Sequence, residues 1–269
     1  MKKLLTLLAL TLSFSMNAQW AYPGGNWAMH AQNSTATGSY AAAMGNNTTA
    51  SGNYSTSMGY ETTASASRST AMGSGTIASG NNSTATGYFT TASGNKTTAM
   101  GANTTASDYA SLVIGQYNSS GSSVTNSATA YNTANTAFVI GNGVDSSNKS
   151  DAFKVMFNGD TTVGGDITIS SDARLKSNIV SLGSTLSKLL LIDGKSYEKD
   201  GKQRIGVLAQ EIQEVFPELV TEDGNEMLAV NYQGLVPVLI NALKEQDKII
   251  KRQEERLANI ENLIANLND

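Results

Sequence analysis

Ser171 and Lys176 stand five residues apart in the stretch ISSDARLKSNI, which runs from Ile169 to Ile179. A serine hydroxyl attacks a carbonyl only when a neighbour takes its proton, and a lysine can take it only if desolvation lowers the ammonium pKa. Five residues of extended strand span about 16 Å, so either the chain turns between the two or a neighbouring protomer supplies the lysine. Taken alone, the spacing is commonplace, and its context has to give it meaning.

Residues for other chemistry are scarce. With no cysteine and one histidine, His30, there is no thiolate or imidazole cluster for zinc, copper or haem, and the pattern calls for no metal and no cofactor. The formal net charge is -4 at pH 7 and no basic stripe is present, so nucleic acid is not an expected partner. The first half offers no paired carboxylates, which argues against a conventional hydrolase.

The elements that must position the pair belong to two physically different halves. Between Gln19 and Ser150 the charged residues are Arg68, Lys96, Lys149, Glu61, Asp108 and Asp145, whereas the rest of the chain has an ordinary charge density. At the start, Lys2, Lys3 and an apolar run from Leu4 to Met16, followed by Asn17-Ala18, have the layout of a cleaved export signal. The run is too short for a membrane span and no later segment is apolar enough to be one, so an exported mature chain with no transmembrane segment is expected. Without disulfides, its stability must come from stacking, core packing or oligomerisation.

Glycine falls at positions 38, 45, 52, 59, 73, 80, 87, 94, 101 and 115, a seven-residue series broken only by Ala66 and Asp108. A small residue, mostly alanine, stands two positions before every slot but the last, where Val113 precedes Gly115. The residue between alternates between Ser or Thr in one phase and mostly Met in the other (Met44, Met58, Met72, Met100), so the true period is fourteen. A helix is excluded, since each glycine costs about 1 kcal/mol there and no apolar seam offsets it. Two short strands and two turns per fourteen residues predict a narrow parallel β-solenoid with an Ala/Ser interior. The Met column along one edge is a candidate seam between chains.

The run STATGSYAAAMGNNTTASGNYSTSMG, Ser34 to Gly59, resembles the head repeats of trimeric autotransporter adhesins. The resemblance covers about residues 33–116 and implies a left-handed parallel β-roll assembled as a homotrimer. Other solenoid functions fit less well. Calcium-binding repeats need an aspartate per turn, and the repeat holds Asp108 alone. Ice-binding solenoids need flat ranks of threonine. One rank exists (Thr35, Thr49, Thr63, Thr70, Thr84, Thr91, Thr98, Thr105), but its strongest companion (Thr48, Thr62, Thr90, Thr97, Thr104) is adjacent in sequence and must face the other way.

Beyond Tyr117 strands are expected at 137–140, 153–157 and 166–170. The pattern then becomes α+β, with a short apolar helical face at 185–192, a hairpin from 195–197 and 204–207, a helix at 209–215 stopped by Pro217, and a strand at 227–231. From Gly234 one helix carries Val236, Leu239, Leu243, Gln246, Ile250, Gln253, Leu257, Ile260, Ile264 and Leu267 at three-four spacing, a coiled-coil seam whose two glutamines would fix register.

Three separated motifs, SSDARLKSNI, GVLAQEIQEVFPELV and AVNYQGLVPVLINALKEQ, make residues 171–269 similar to the C-terminal intramolecular chaperone domain of phage tailspikes and tail fibres, a self-cleaving Ser/Lys peptidase family. The resemblance implies a domain that trimerises, guides folding of the β-rich fibre before it, and cuts itself off. It assigns Ser171 as nucleophile on the carbonyl of Ser170, Lys176 as general base, and Asp172, Arg174 and Asn178 as positioning residues.

The expected layout is an export signal at 1–18, a linker at 19–32, an adhesin-like head at 33–117, a β-rich neck at 118–170, the chaperone and autoprotease domain at 171–233 and a coiled coil at 234–269. The expected protein is an extracellular or surface homotrimeric fibre whose partners are its own copies and a host surface or glycan receptor. A non-cleaving fibre with a permanent stalk, and an ice- or glycan-binding solenoid, are the alternatives.

Overall fold

The computed structural model describes residues 18–21, 28–31 and 33–267, so the expected export signal lies outside the described residues apart from Ala18. Two compact units divide between Ile169 and Ser170. Among the described residues no helix is long and apolar enough to cross a membrane.

The first unit is built on a parallel β-solenoid, as the glycine period predicts. Each coil has a five-residue strand (Ala42–Asn46, Thr56–Tyr60, Thr70–Ser74, Thr84–Tyr88, Thr98–Ala102, Leu112–Gln116) and a two-residue strand (Thr35–Ala36, Thr49–Ala50, Thr63–Ala64, Ile77–Ala78, Thr91–Ala92, Thr105–Ala106). The register steps by fourteen: Thr56 pairs with Thr70, Met58 with Met72, Gly59 with Gly73, and on the short side Ala50 pairs with Ala64. Stacked strands lie about 4.8 Å apart, so each residue type forms a column.

Those columns explain the composition. Ala43, Ala50, Ala64, Ala71, Ala78, Ala85, Ala92, Ala99 and Ala106 point inward and are fully buried, because the coil is too narrow for anything larger. Thr48, Thr62, Thr90, Thr97 and Thr104 are buried too, so the second threonine rank does face away from the first. The first rank itself splits in two: Thr35, Thr49, Thr63, Thr91 and Thr105 open short strands, while Thr70, Thr84 and Thr98 open long ones, as does Thr56, which occupies the same position before Gly59.

The glycine slots are of two kinds. In the long-strand phase the backbone is left-handed (Gly59 has φ +121°), and a Cβ there would overlap the carbonyl oxygen of Gly73 in the next coil. In the short-strand phase the backbone is not left-handed, and both exceptions, Ala66 and Asp108, fall in that phase.

At every seventh position from Asn33 to Tyr117 one residue takes positive φ to turn the corner, including Tyr40 (58°), Tyr54 (61°), Arg68 (56°) and Phe89 (49°). Such a conformation costs a non-glycine residue about 1 kcal/mol, and stacking offsets it. Tyr54 N–H donates to Ser39 O at 2.7 Å and Arg68 N–H to Asn53 O at 2.7 Å, each reaching the preceding coil.

Residues 117–135 interrupt the stack and close it. The next strand, Thr136–Asn142, lies beside Leu112–Gln116 with Leu112 opposite Phe138, a step of 26 positions. Asn118 takes the place of the missing short strand: its amide donates to Thr105 O at 2.9 Å and accepts from Thr105 N–H at 2.8 Å, covering the open sheet edge. Asp108, fully buried, accepts from Thr125 N–H at 2.6 Å and from the Thr136 N–H and hydroxyl. Strands Asp151–Met156 and Thr161–Val163 then extend the long sheet antiparallel.

Two expectations are corrected here. The segment read as a linker supplies strands: Ala18–Ala21 and Ala28–Ala31 pair antiparallel, and the second joins the long-strand sheet beside Ala42–Asn46. Residues 166–170 form no strand, since the sheet ends at Val163 and offers them no pairing partner.

The second unit is α+β. A helix at Leu186–Leu189 is followed by a hairpin of Lys195–Lys199 and Lys202–Gly206, whose Asp200-Gly201 turn has positive φ at both residues, the geometry that matches strand twist. The helix Ala209–Val215 stops before Pro217, and a small hairpin of Val220–Glu222 and Leu228–Val230 leads to the long helix Leu235–Leu267. Ile212, Phe216 and Val238 form its compact core. The seam stays outside that core: Leu239, Leu243, Ile250, Leu257 and Ile264 are 44–69% exposed.

Candidate active site

Asp172 builds the turn that brings the pair together. Its Oδ1 accepts from Arg174 N–H at 2.8 Å, which caps a single 3-10 turn at Ala173–Leu175, and Lys176 N–H closes that turn on Ala173 O at 3.1 Å. The Arg174 guanidinium folds back on the same carboxylate, with Nη2 2.6 Å from Oδ2. That ion pair and the Arg174 amide hold the Asp172 carboxyl below the usual range, while Asp172 raises Arg174.

The result is a dyad within one chain: Lys176 Nζ donates to Ser171 Oγ at 2.7 Å. The reversed contact, with a neutral amine accepting the hydroxyl proton, is the geometry of general-base activation. The turn accounts for the five-residue spacing that a strand could not bridge. Asn178 follows with φ +51°, a left-handed conformation that asparagine accepts more readily than most residues, and it redirects the chain after the lysine. Ser170, on the acyl side of the expected scissile bond, opens the second unit.

Residues 170–184 are all exposed in the single chain. A lysine becomes a base when its ammonium loses hydration, so this geometry needs a cover. Exposed apolar side chains flank the dyad: Ile169, Leu175, Ile179, Val180 and Leu182 are 51–84% exposed.

Sequence reasoning missed the fastening of this arm to the long helix. Glu245 accepts from Ser184 Oγ–H at 2.8 Å and from Thr185 N–H at 2.6 Å, and the Thr185 hydroxyl donates to Val238 O at 3.1 Å. No local pattern marks it, since Glu245 is one of five acids in the long helix and lies 60 residues from Thr185.

The solenoid and the dyad-bearing α+β unit define a protein that joins adhesin-type head repeats to a chaperone-type domain, and family comparison agrees. Residues 36–62, 64–90 and 92–118 match the YadA head domain repeat, and residues 171–221 match the chaperone of endosialidase. The chain is similar to the long tail fibre protein Gp37 of Enterobacteria phage K3, 36% identical over 103 residues, which is 34% of this chain and 8% of that protein. Gp37 of Enterobacteria phage T2 matches to the same extent, and Gp37 of Salmonella phage S16 is 28% identical over 112 residues, 37% of this chain and 15% of that protein. The chain thus spans a small fraction of the length of these relatives.

Proposed function

We propose that this chain is an extracellular homotrimeric fibre whose second unit acts as an intramolecular chaperone and then cuts the chain between Ser170 and Ser171. The observation that carries the proposal is the 2.7 Å contact between Lys176 Nζ and Ser171 Oγ, inside the segment that matches the chaperone of endosialidase. The division between units one residue before the scissile bond supports it, because cleavage there would release one compact body from another.

The chemistry is a single turnover. Lys176 takes the Ser171 hydroxyl proton, and Oγ adds to the Ser170 carbonyl carbon through a five-membered ring. The C–N bond breaks as that proton passes to the departing Ser171 amine, leaving an ester, which water hydrolyses to a Ser170 carboxylate and a restored Ser171 hydroxyl. Asp172 and Arg174 hold the turn, and Asn178 redirects the chain.

Assembly supplies what one chain lacks. Two exposed apolar columns await partners: the seam of the long helix and the outer row Met58, Met72 and Met100, which are 36–43% exposed. Three long helices packed on their seams would hold three solenoids at high local concentration, so that the coils could zip in register. The exposed arm would be buried in the same event.

The exposure of the dyad in the single chain favours a second reading, a fibre that never cleaves and keeps its stalk. Intact-mass analysis of the full chain beside Ser171→Ala and Lys176→Ala separates the two. The proposal expects fragments ending at Ser170 and starting at Ser171 in the parent only; an uncut parent trimer favours the permanent stalk. Receptor recognition by the head is proposed on family likeness, and glycan screening of the released head tests it.

A further inference from the structure

The arm that carries the dyad is fastened to one face of the long helix. Gly183, Ser184, Thr185 and Leu186 meet Val238, Asn241 and Glu245: Asn241 Nδ2 donates to Gly183 O at 3.5 Å, the Thr185 hydroxyl to Val238 O at 3.1 Å, and Glu245 takes Ser184, Thr185 and, at 3.4 Å, the Leu186 amide. The three helix residues recur at three-four spacing and so share a face, which lies one helical step from the seam residues Leu239, Leu243 and Gln246. These hydrogen bonds, the Thr185 amide first and the Ser184 hydroxyl second, hold the Glu245 carboxyl below its usual range and keep it an ionised acceptor at neutral pH. From Ser177 to Ser184 the chain is exposed and forms no helix or strand. The fastening at its end is what relates the dyad to the helix.

We propose that Glu245 is a positioning residue for self-cleavage. Packing of the seam fixes the orientation of the helix, Glu245 passes that orientation to Gly183–Leu186, and the arm then presents Ser171 and Lys176 where assembly covers them. The inference rests on the self-cleavage reading and adds to it the link by which assembly sets the geometry of the dyad.

The test compares the full-length parent with Glu245→Gln, Ser184→Ala and the double variant. Cleavage is followed by intact mass between about pH 6 and 10 and assembly by sedimentation. Glu245→Gln is expected to remain trimeric and to lower the rate about tenfold, with the midpoint of the pH profile moved upward because a dyad presented less fully to its cover stays more hydrated. Ser184→Ala is expected to slow cleavage less, and the double variant to be no slower than Glu245→Gln alone. A trimeric Glu245→Gln that cleaves at the parental rate, or a slower one whose midpoint stays at the parental value, overturns the proposal. If Glu245→Gln fails to assemble, the exposed Ser184→Ala decides, and a parental rate there overturns it. An uncut parent removes the self-cleavage reading and this inference together, whereas a cut parent beside equally fast variants removes this inference alone.

Discussion

The two units solve the problem of burial in opposite ways. The solenoid completes its interior within one chain: its alanine columns are fully buried and each coil satisfies the backbone of the next. The second unit has a small core around Ile212, Phe216 and Val238 and leaves a whole helical seam in solvent. A repeat can be closed by its own neighbours, but an amphipathic helix 33 residues long needs other copies. The unit least able to stand alone is thus the one that carries the dyad.

Four experiments break or sharpen this contrast. Placing charges in the seam with Ile250→Asp and Leu257→Asp should weaken association about a hundredfold or more, because a buried unpaired carboxylate costs several kcal/mol. Sedimentation of the full chain reads this, and a variant that stays trimeric would place the assembling surface on the methionine column instead. The next effect lies within the solenoid. Gly59→Ala and Gly52→Ala should both destabilise it, since a Cβ at either would overlap a carbonyl oxygen of the next coil, and Gly59→Ala by about 1–2 kcal/mol more, since only that slot also demands left-handed backbone. Thermal melts check the difference, and equal losses would mean that stacking distance alone sets the glycine column.

Asp108→Asn comes third, at about 2 kcal/mol, because it weakens a buried acceptor that serves three donors at the closed end of the stack. Faster hydrogen exchange at the Thr125 and Thr136 amides, with the earlier coils unchanged, is the expected signature. The smallest effect is acid sensitivity. Asp172 and Glu245 have carboxyls held below their unfolded values, so their contribution is present above the ordinary carboxylate range and lost as pH falls through the lowered values. Residues 33–107 hold Glu61 alone, so an acid titration followed by hydrogen exchange should loosen the arm while the coils remain protected.

The sequence disclosed most where one residue type had one possible cause. Glycine every seventh position, alternating with methionine every fourteenth, is the stacking register itself, and Pro217 and the Asp200-Gly201 pair mark a helix stop and a hairpin turn. It disclosed less where structure depends on a partner. Residues 166–170 alternate like a strand, yet the sheet that would receive them ends at Val163. The opening strands at 18–21 and 28–31 carry no heptad signal because they lie before the repeat. In the site, Ser171 and Lys176 were singled out by the resemblance of the motifs around them, their own spacing being commonplace. The turn that closes the pair depends on Asp172 capping Arg174, and the fastening depends on an acid 60 residues further on, which no local pattern reveals.

The measurement that bears most directly on the account is an intact-mass time course of the full chain and the Ile250→Asp/Leu257→Asp variant, run at a concentration where the variant is monomeric. The account predicts a parent that divides between Ser170 and Ser171 and a monomer that cuts about tenfold more slowly or not at all, because its dyad stays in solvent. A monomer that cleaves at the parental rate, or a trimeric parent that stays whole, would contradict it.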